Sequence, residues 1–225
     1  MSLEVSRALP DTVYDRLLDL LTWGELSPGS SLPIDGLAAQ LGVSPTPVRE
    51  ALARLEATGL VKRKARCGYR VAAPMSQAQM RELVDARLVL EVGAVERAML
   101  NFDEFLPDLE NAFERHKQSA DRILNLSQSD NEREAIRQYF ADDWLFHEVI
   151  LSHCGNRYIV HAVESLSFRV HRMRQTIGSG VSDAADALLE HKKILEAART
   201  KNPAAAASAM TMHLQKLCHR VGSTD

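Results

Sequence analysis

Residues 43–61 read VSPTPVREALARLEATGLV, and residues 62–71 continue as KRKARCGYRV. Ser44 is a good helix N-cap, and Pro45 and Pro47 fall in the first turn, where a missing N–H costs little. Val48, Leu52 and Leu55 recur at helical spacing and face a core, and Gly59 ends the helix. Leu60-Val61 and Tyr69-Arg70-Val71 read as two short strands, with the basic stretch 62–66 and Gly68 at or between them. Upstream, Val13, Leu17, Leu20 and Leu21 form one helical stripe closed by Gly24. After the turn-rich SPGSSLP of residues 27–33, Leu37, Ala38 and Leu41 form a short second helix stopped by Gly42. Helix, helix, turn, helix and basic hairpin is the order of a winged helix-turn-helix.

Charge points the same way. The 225 residues carry a net charge of -3, which taken alone argues against a nucleic-acid partner. Residues 43–70, however, hold Arg49, Arg54, Lys62, Arg63, Lys64, Arg66 and Arg70 against Glu50 and Glu56, a local net of +5. A local patch of that sign is the footprint a phosphate backbone requires. Thr46 and Arg49 share one face of the third helix near its start, and an Arg there can grip guanine with two hydrogen bonds. The Ser44 and Thr46 hydroxyls and the helix N-terminal amides suit a phosphate. Gly68 lets the hairpin backbone approach a minor groove. The expected DNA contacts are therefore Ser44, Thr46, Arg49, Arg54, Lys62, Arg63, Lys64, Arg66 and Gly68. A winged helix used only for protein contacts would leave the basic patch without a purpose.

A change of composition near residues 73–77 marks a boundary, so residues 1–73 read as a DNA-binding domain, 74–77 as a linker and 78–225 as a second domain. Six helices are expected there, near 77–99, 104–127, 132–153, 156–176, 183–200 and 203–219, with short joining loops and no period-two pattern. The fold class is mainly α: a winged helix-turn-helix followed by an all-α six-helix bundle. No run of 18 apolar residues is present, so no spanning helix and no membrane partner is expected. The first ten residues lack the apolar core of a secretory signal, and Cys67, Cys154 and Cys218 are too scattered for a disulfide framework. A cytoplasmic protein with reduced thiols follows.

Polar residues on apolar stripes carry the chemistry of this second half. Ile136, Phe140, Asp143, His147, Ile150 and Cys154 step by four and three along one helix face, placing Asp143 and His147 inside the stripe. His191 lies in the stripe of Leu188, Leu195 and Ala198, and His213 in that of Ala206, Met210 and Leu217. Three imidazoles and a carboxylate pointing inward from three helices suit a divalent transition metal, with zinc first and nickel or manganese as alternatives. Separate core histidines, each hydrogen-bonded to a neighbour, are the plainer reading. In the helix near 77–99, Met80, Val84, Arg87, Glu91, Ala94 and Ala98 form the inner face. Arg87 and Glu91 then form either a buried ion pair or a guanidinium aimed into a pocket for a carboxylate. Arg169 at a stripe edge and Asn156 at a helix start are further candidates for effector contacts. His116, His153, His161, His171 and His219 show no usable spacing.

Nearly all of residues 10–73 resembles the winged helix-turn-helix of GntR-type bacterial transcription regulators, through PGSSLPIDGLAAQLGVSPTPVREALARLEATGLVKRKARCGYRV. The family pattern reads V-S-R-T-P-V-R-E-A-L; Pro45 stands where its first arginine would be, so the usual operator sequence is not implied. DDWLFHEVILSHCGN followed by EHKKILEAARTKNPAAAASAMTMHL is similar to the FCD effector domain of the FadR-like branch. The Asp and His four apart, the following Gly-Asn and the H-x21-H spacing match its metal-binding version. That resemblance implies Asp143, His147, His191 and His213 as ligands, and six helices suggest the shorter VanR-like subgroup. It further implies a homodimer on a roughly palindromic double-stranded operator, a small carboxylate effector, repression as the mode of control and no enzymatic activity. Two rivals stand beside it: a metal-dependent hydrolase fused to a DNA-binding domain, for which no clear general base is present, and a regulator whose metal is purely structural.

Overall fold

The computed structural model describes residues 9–22, 26–73, 75–125, 132–176 and 183–222. The chain divides into two compact units, Met1–Pro74 and Met75–Asp225.

In the first unit, α1 (Leu9–Thr22), α2 (Ile34–Leu41) and α3 (Pro45–Ala57) pack their apolar faces together, with β1 (Ser31–Leu32), β2 (Val61–Lys64) and β3 (Gly68–Val71) beside them. Val13, Leu17, Leu20, Leu37, Val48, Leu52 and Leu55 are buried, as their spacing requires. The strands form an antiparallel sheet in the order β1-β3-β2, with Lys64 paired to Gly68 at the hairpin end. The sheet has one more strand than the sequence suggests. Residues 27–33 look like a plain connection, yet Ser31 and Leu32 pair with Arg70 and Tyr69 and bury Leu32. Two residues are too few to show an alternating pattern, so only the partner strand reveals β1. Gly24 lies outside the described residues.

In the second unit the described helices are α4 (Gln77–Ala98), α5 (Phe102–Leu124), α6 (Glu132–His153), α7 (Arg157–Thr176), α8 (Ala184–Arg199) and α9 (Pro203–Gly222). A capping box starts α4: Ser76 Oγ accepts from the Gln79 N–H while Gln79 Oε1 accepts from the Ser76 N–H. Residue 77, assigned to the linker by composition, is thus the first residue of a helix. Phe105, Leu109, Phe146, Ile150, Ile194, Met210 and Leu214 join in one core with the inner face of α4. Among the described residues no helix is long and apolar enough to cross a membrane.

Candidate metal centre and nucleic-acid interface

Helix periodicity delivers polar groups into this second core. Arg87 and Glu91 from α4, His116 from α5, Asp143 and His147 from α6, Glu190 and His191 from α8, and His213 from α9 are all buried. His147, His191 and His213 each offer a ring nitrogen to one group of atoms within 4.8 Å of one another. His191 Nε2 lies 3.1 Å from His147 Nε2, and His213 Nε2 has no hydrogen-bond partner. The opposite nitrogens are anchored. His147 Nδ1 lies 2.7 Å from Glu91 Oε2, His213 Nδ1 lies 2.9 Å from Glu190 Oε2, and His191 Nδ1 lies 3.0 Å from His116 Nδ1. Phe146 stacks on the His191 ring at 4.3 Å and 12°, which fixes its plane. Three imidazoles thus turn their Nε2 edges toward one another while other groups hold their backs, the arrangement in which histidines bind metals.

Electrostatics keep two of these rings neutral. Burial pushes His191 well below the ordinary histidine value, and the neighbouring His213 and His116 add to the effect. Burial also lowers His213, to about 4, against the opposing pull of Glu190. Neutral imidazole is the form that binds a metal. Burial alone would raise the carboxyls behind the rings, yet both go down. Arg87 and His147 hold Glu91 well below the carboxylate range. His213 and Arg220 bring Glu190 to about 2. Arg87 Nε donates to Glu91 Oε1 at 2.6 Å and its Nη2 to Oε2 at 3.3 Å, while Nη1 has no hydrogen-bond partner. The ion pair therefore forms, and one donor remains beyond it. Arg220 Nη1 and Nη2 donate to Glu190 at 2.8 and 3.1 Å. The residues fit a divalent cation, on the evidence of the convergent Nε2 atoms and the uncommitted His213 nitrogen.

Asp143 is placed differently from the three histidines. Its oxygen groups with His116 and His191, and Asp143 Oδ1 lies 3.7 Å from His116 Nε2. His116 itself shows no signal when histidines are compared with one another. The signal is in its own helix, where Phe105, Leu109, Ala112, His116, Ala120 and Ile123 are buried at steps of four and three. Glu190 and Arg220 are likewise invisible beforehand, because their pairing joins two different helices and no helical period relates them. Asn156 caps α7, its Oδ1 accepting from the Tyr158 and Ile159 N–H groups at 3.0 and 3.3 Å. That is the structural of the two roles open to it. The Arg169 side chain lies outside the described residues.

On the first unit, Ser44, Thr46 and Arg49 are exposed at the start of α3. Ser44 takes the N-cap position but its side chain makes no cap bond, which leaves the hydroxyl available. Lys62, Arg63, Lys64 and Arg66 are exposed along the hairpin. Arg66 and Gly68 have φ of 61° and 73°, so the tight turn rests on two left-handed residues. No atom stands within 4 Å of a Cβ built on Gly68, so backbone conformation and not crowding calls for glycine. Arg54 is engaged within its own domain. It donates to Asp11 at 2.8 Å and lies over the Tyr14 ring at 4.2 Å.

Comparison with known proteins agrees with both units. Residues 9–71 match the model of the bacterial regulatory proteins of the gntR family, and residues 82–216 match the FCD domain. The chain is 27% identical over 208 residues to the HTH-type transcriptional regulator YdhC of Bacillus subtilis (strain 168), covering 92% of this chain and 88% of that one. It is 29% identical over 185 residues to the gluconate operon transcriptional repressor of Bacillus licheniformis, covering 80% and 71%. The crystal structure of a transcriptional regulator from Rhodococcus sp. RHA1 shares the fold, with a TM-score of 0.75 at 21% identity over 96% and 98% of the two chains. The chain belongs to the gntR family of bacterial regulatory proteins with an FCD domain, and is a DNA-binding transcription regulator and not an enzyme.

Proposed function

We propose that this regulator is a repressor whose hold on its operator is set by a small organic acid bound beside a divalent metal in the helical unit. The observation that carries the reading is the convergence of His147, His191 and His213 on their Nε2 edges, with Nδ1 of each ring anchored behind. A bound metal would supply a Lewis-acidic position for a carboxylate oxygen. Arg87 would hold the acid through the Nη1 donor that Glu91 leaves over. A small cleft of about 50 Å³ opens beside His213, lined by Glu190, Lys193 and Lys216 among others. A relative named for the gluconate operon makes an organic acid a reasonable class of effector here as well.

On the DNA side, Arg49 would read a guanine while Ser44, Thr46 and the hairpin residues Lys62, Arg63, Lys64 and Arg66 bind phosphates. Gly68 would let the hairpin sit close to the groove, and Arg54 would steady α3 against α1. Two copies would address the two halves of a near-palindromic site. The acid regulates by favouring one arrangement of the DNA-binding units over another, which requires it to bind one arrangement more tightly.

The test begins with elemental analysis of purified protein and operator binding by fluorescence anisotropy. Carboxylic acids are added to chelator-treated and zinc-loaded protein. Stoichiometric metal, and an acid response that needs it, are expected. Protein without stoichiometric metal, together with a His147→Ala variant that still answers the acid, overturns the reading. Zinc that stabilises the fold while no acid changes operator affinity would favour a purely structural metal.

A further inference from the structure

We propose that Pro45 is a sequence-selecting residue of α3, whose exposed ring makes apolar contact with the methyl group of a thymine near the guanine that Arg49 reads. The proposal rests on α3 being the groove-reading helix, as set out above, and adds a residue to that role.

Two prolines open α3, and they face opposite ways. Pro47 is buried and fixes the first turn against the core, whereas Pro45 is exposed. A proline at the first helical position suits the helix start, but the ring of Pro45 turns to solvent. Pro45 and Arg49 stand one turn apart on one face, and Arg49, Ser44 and Thr46 are exposed with it. Side chains at the start of a recognition helix are those that reach base edges. A helix that lays Arg49 against a base therefore brings Pro45 to the same groove.

The chemistry of that position is narrow. A proline ring carries neither donor nor acceptor, so it reads no base by hydrogen bond. The apolar feature of the major groove is the C5-methyl group of thymine. Of the four N–H groups that a helix start leaves free, α3 lacks two, at Pro45 and Pro47. The end of α3 thus offers the groove a hydrocarbon ring flanked by two hydroxyls, with half the usual amides for a phosphate. The ring is rigid as well, so contact costs it no rotamer freedom. A rise of about 1.5 Å per residue separates Pro45 from Arg49 by about 6 Å along the helix, or about two base steps of 3.4 Å. The thymine accordingly lies within about three base pairs of the guanine, once in each half of a near-palindromic site.

The experiment starts from duplexes that the wild-type full chain enriches from a random-sequence pool. Each thymine of the enriched site is replaced in turn by uracil, which lacks only the methyl group, and affinity is measured by anisotropy at one fixed salt concentration. One thymine in each half-site should cost wild type about 3–10-fold when replaced, the worth of one buried methyl. Pro45→Gly should bind thymine and uracil equally there. Pro45→Arg, put through the same enrichment, should exchange that thymine for a guanine. This second variant keeps the test decisive if Pro45→Gly disturbs the helix, because a changed preference needs a folded reader. A uracil penalty that persists in Pro45→Gly overturns the proposal, and so does a Pro45→Arg variant that enriches the wild-type site. Loss of the penalty in Thr46→Ser but not in Pro45→Gly would assign the contact to the Thr46 methyl instead. Should Arg49→Ala keep the full guanine preference, α3 is not the reading helix, and the broader reading fails together with this one.

Discussion

Arg87 and Glu91 form the buried ion pair that their spacing of four allows. The guanidinium and the carboxylate are buried together, and each would be costly to leave alone. Arg87→Ala should therefore lower stability by about 3–5 kcal/mol in urea unfolding, more than the lost contacts would suggest, because Glu91 keeps its charge without its main partner. The buried histidines make a second prediction. In chelator-treated protein, His213 binds a proton near 4 when folded and near 6.5 when unfolded, and His191 is shifted in the same direction. Between those values the unfolded chain holds more protons, so stability rises with pH there and is lost as pH falls from about 6.5 toward 4. Glu190, lowered from 4.5 to about 2, extends the loss in the same sense below pH 4.5. Urea midpoints at pH 7.5 and pH 5 should differ for wild type and differ less for His213→Leu. These shifts were not legible in sequence, since they arise from burial and from neighbours on other helices.

At the scale of the element, the two serine caps separate stability from function. Ser76 closes a capping box at α4, and Ser76→Ala should cost about 1 kcal/mol in thermal or urea unfolding. Ser44 heads α3 without a side-chain cap bond. Ser44→Ala should change stability by no more than about 0.5 kcal/mol yet weaken operator binding in anisotropy measurements. Equal losses at both serines in stability would show that Ser44 also caps in solution. Arg49→Ala should cost about 1–3 kcal/mol of operator binding and relax preference at one base pair, whereas Lys62→Ala should weaken all sequences alike and reduce the salt slope by about one. The order of elements was readable because each helix repeats its apolar residues at 3.6 and is stopped by glycine or a turn. The strand at Ser31 and Leu32 was not, because a two-residue element has no period.

In the function proposed above, the whole molecule couples two functions that each unit carries separately. If the metal and an acid act through the equilibrium between arrangements, their joint addition should change operator affinity by about 5–150-fold, the ordinary range of such coupling. By reciprocity, operator DNA should change the affinity for the acid by the same factor, which calorimetry with and without DNA would measure. Unequal factors at equilibrium would break the two-arrangement account.

The winged helix-turn-helix and the helical second half were determined along the chain, by local spacing of apolar residues, helix stops and one basic cluster. The same spacing carried Asp143, His147, His191 and His213 inward, because a stripe position is buried whatever residue occupies it. Which of those inward groups meet was decided only in three dimensions. His116 stands behind His191, Glu190 behind His213 and Glu91 behind His147, across 75, 23 and 56 residues of chain. No helical period relates residues on different helices; packing alone sets their distance, and with it the roles that otherwise similar histidines take.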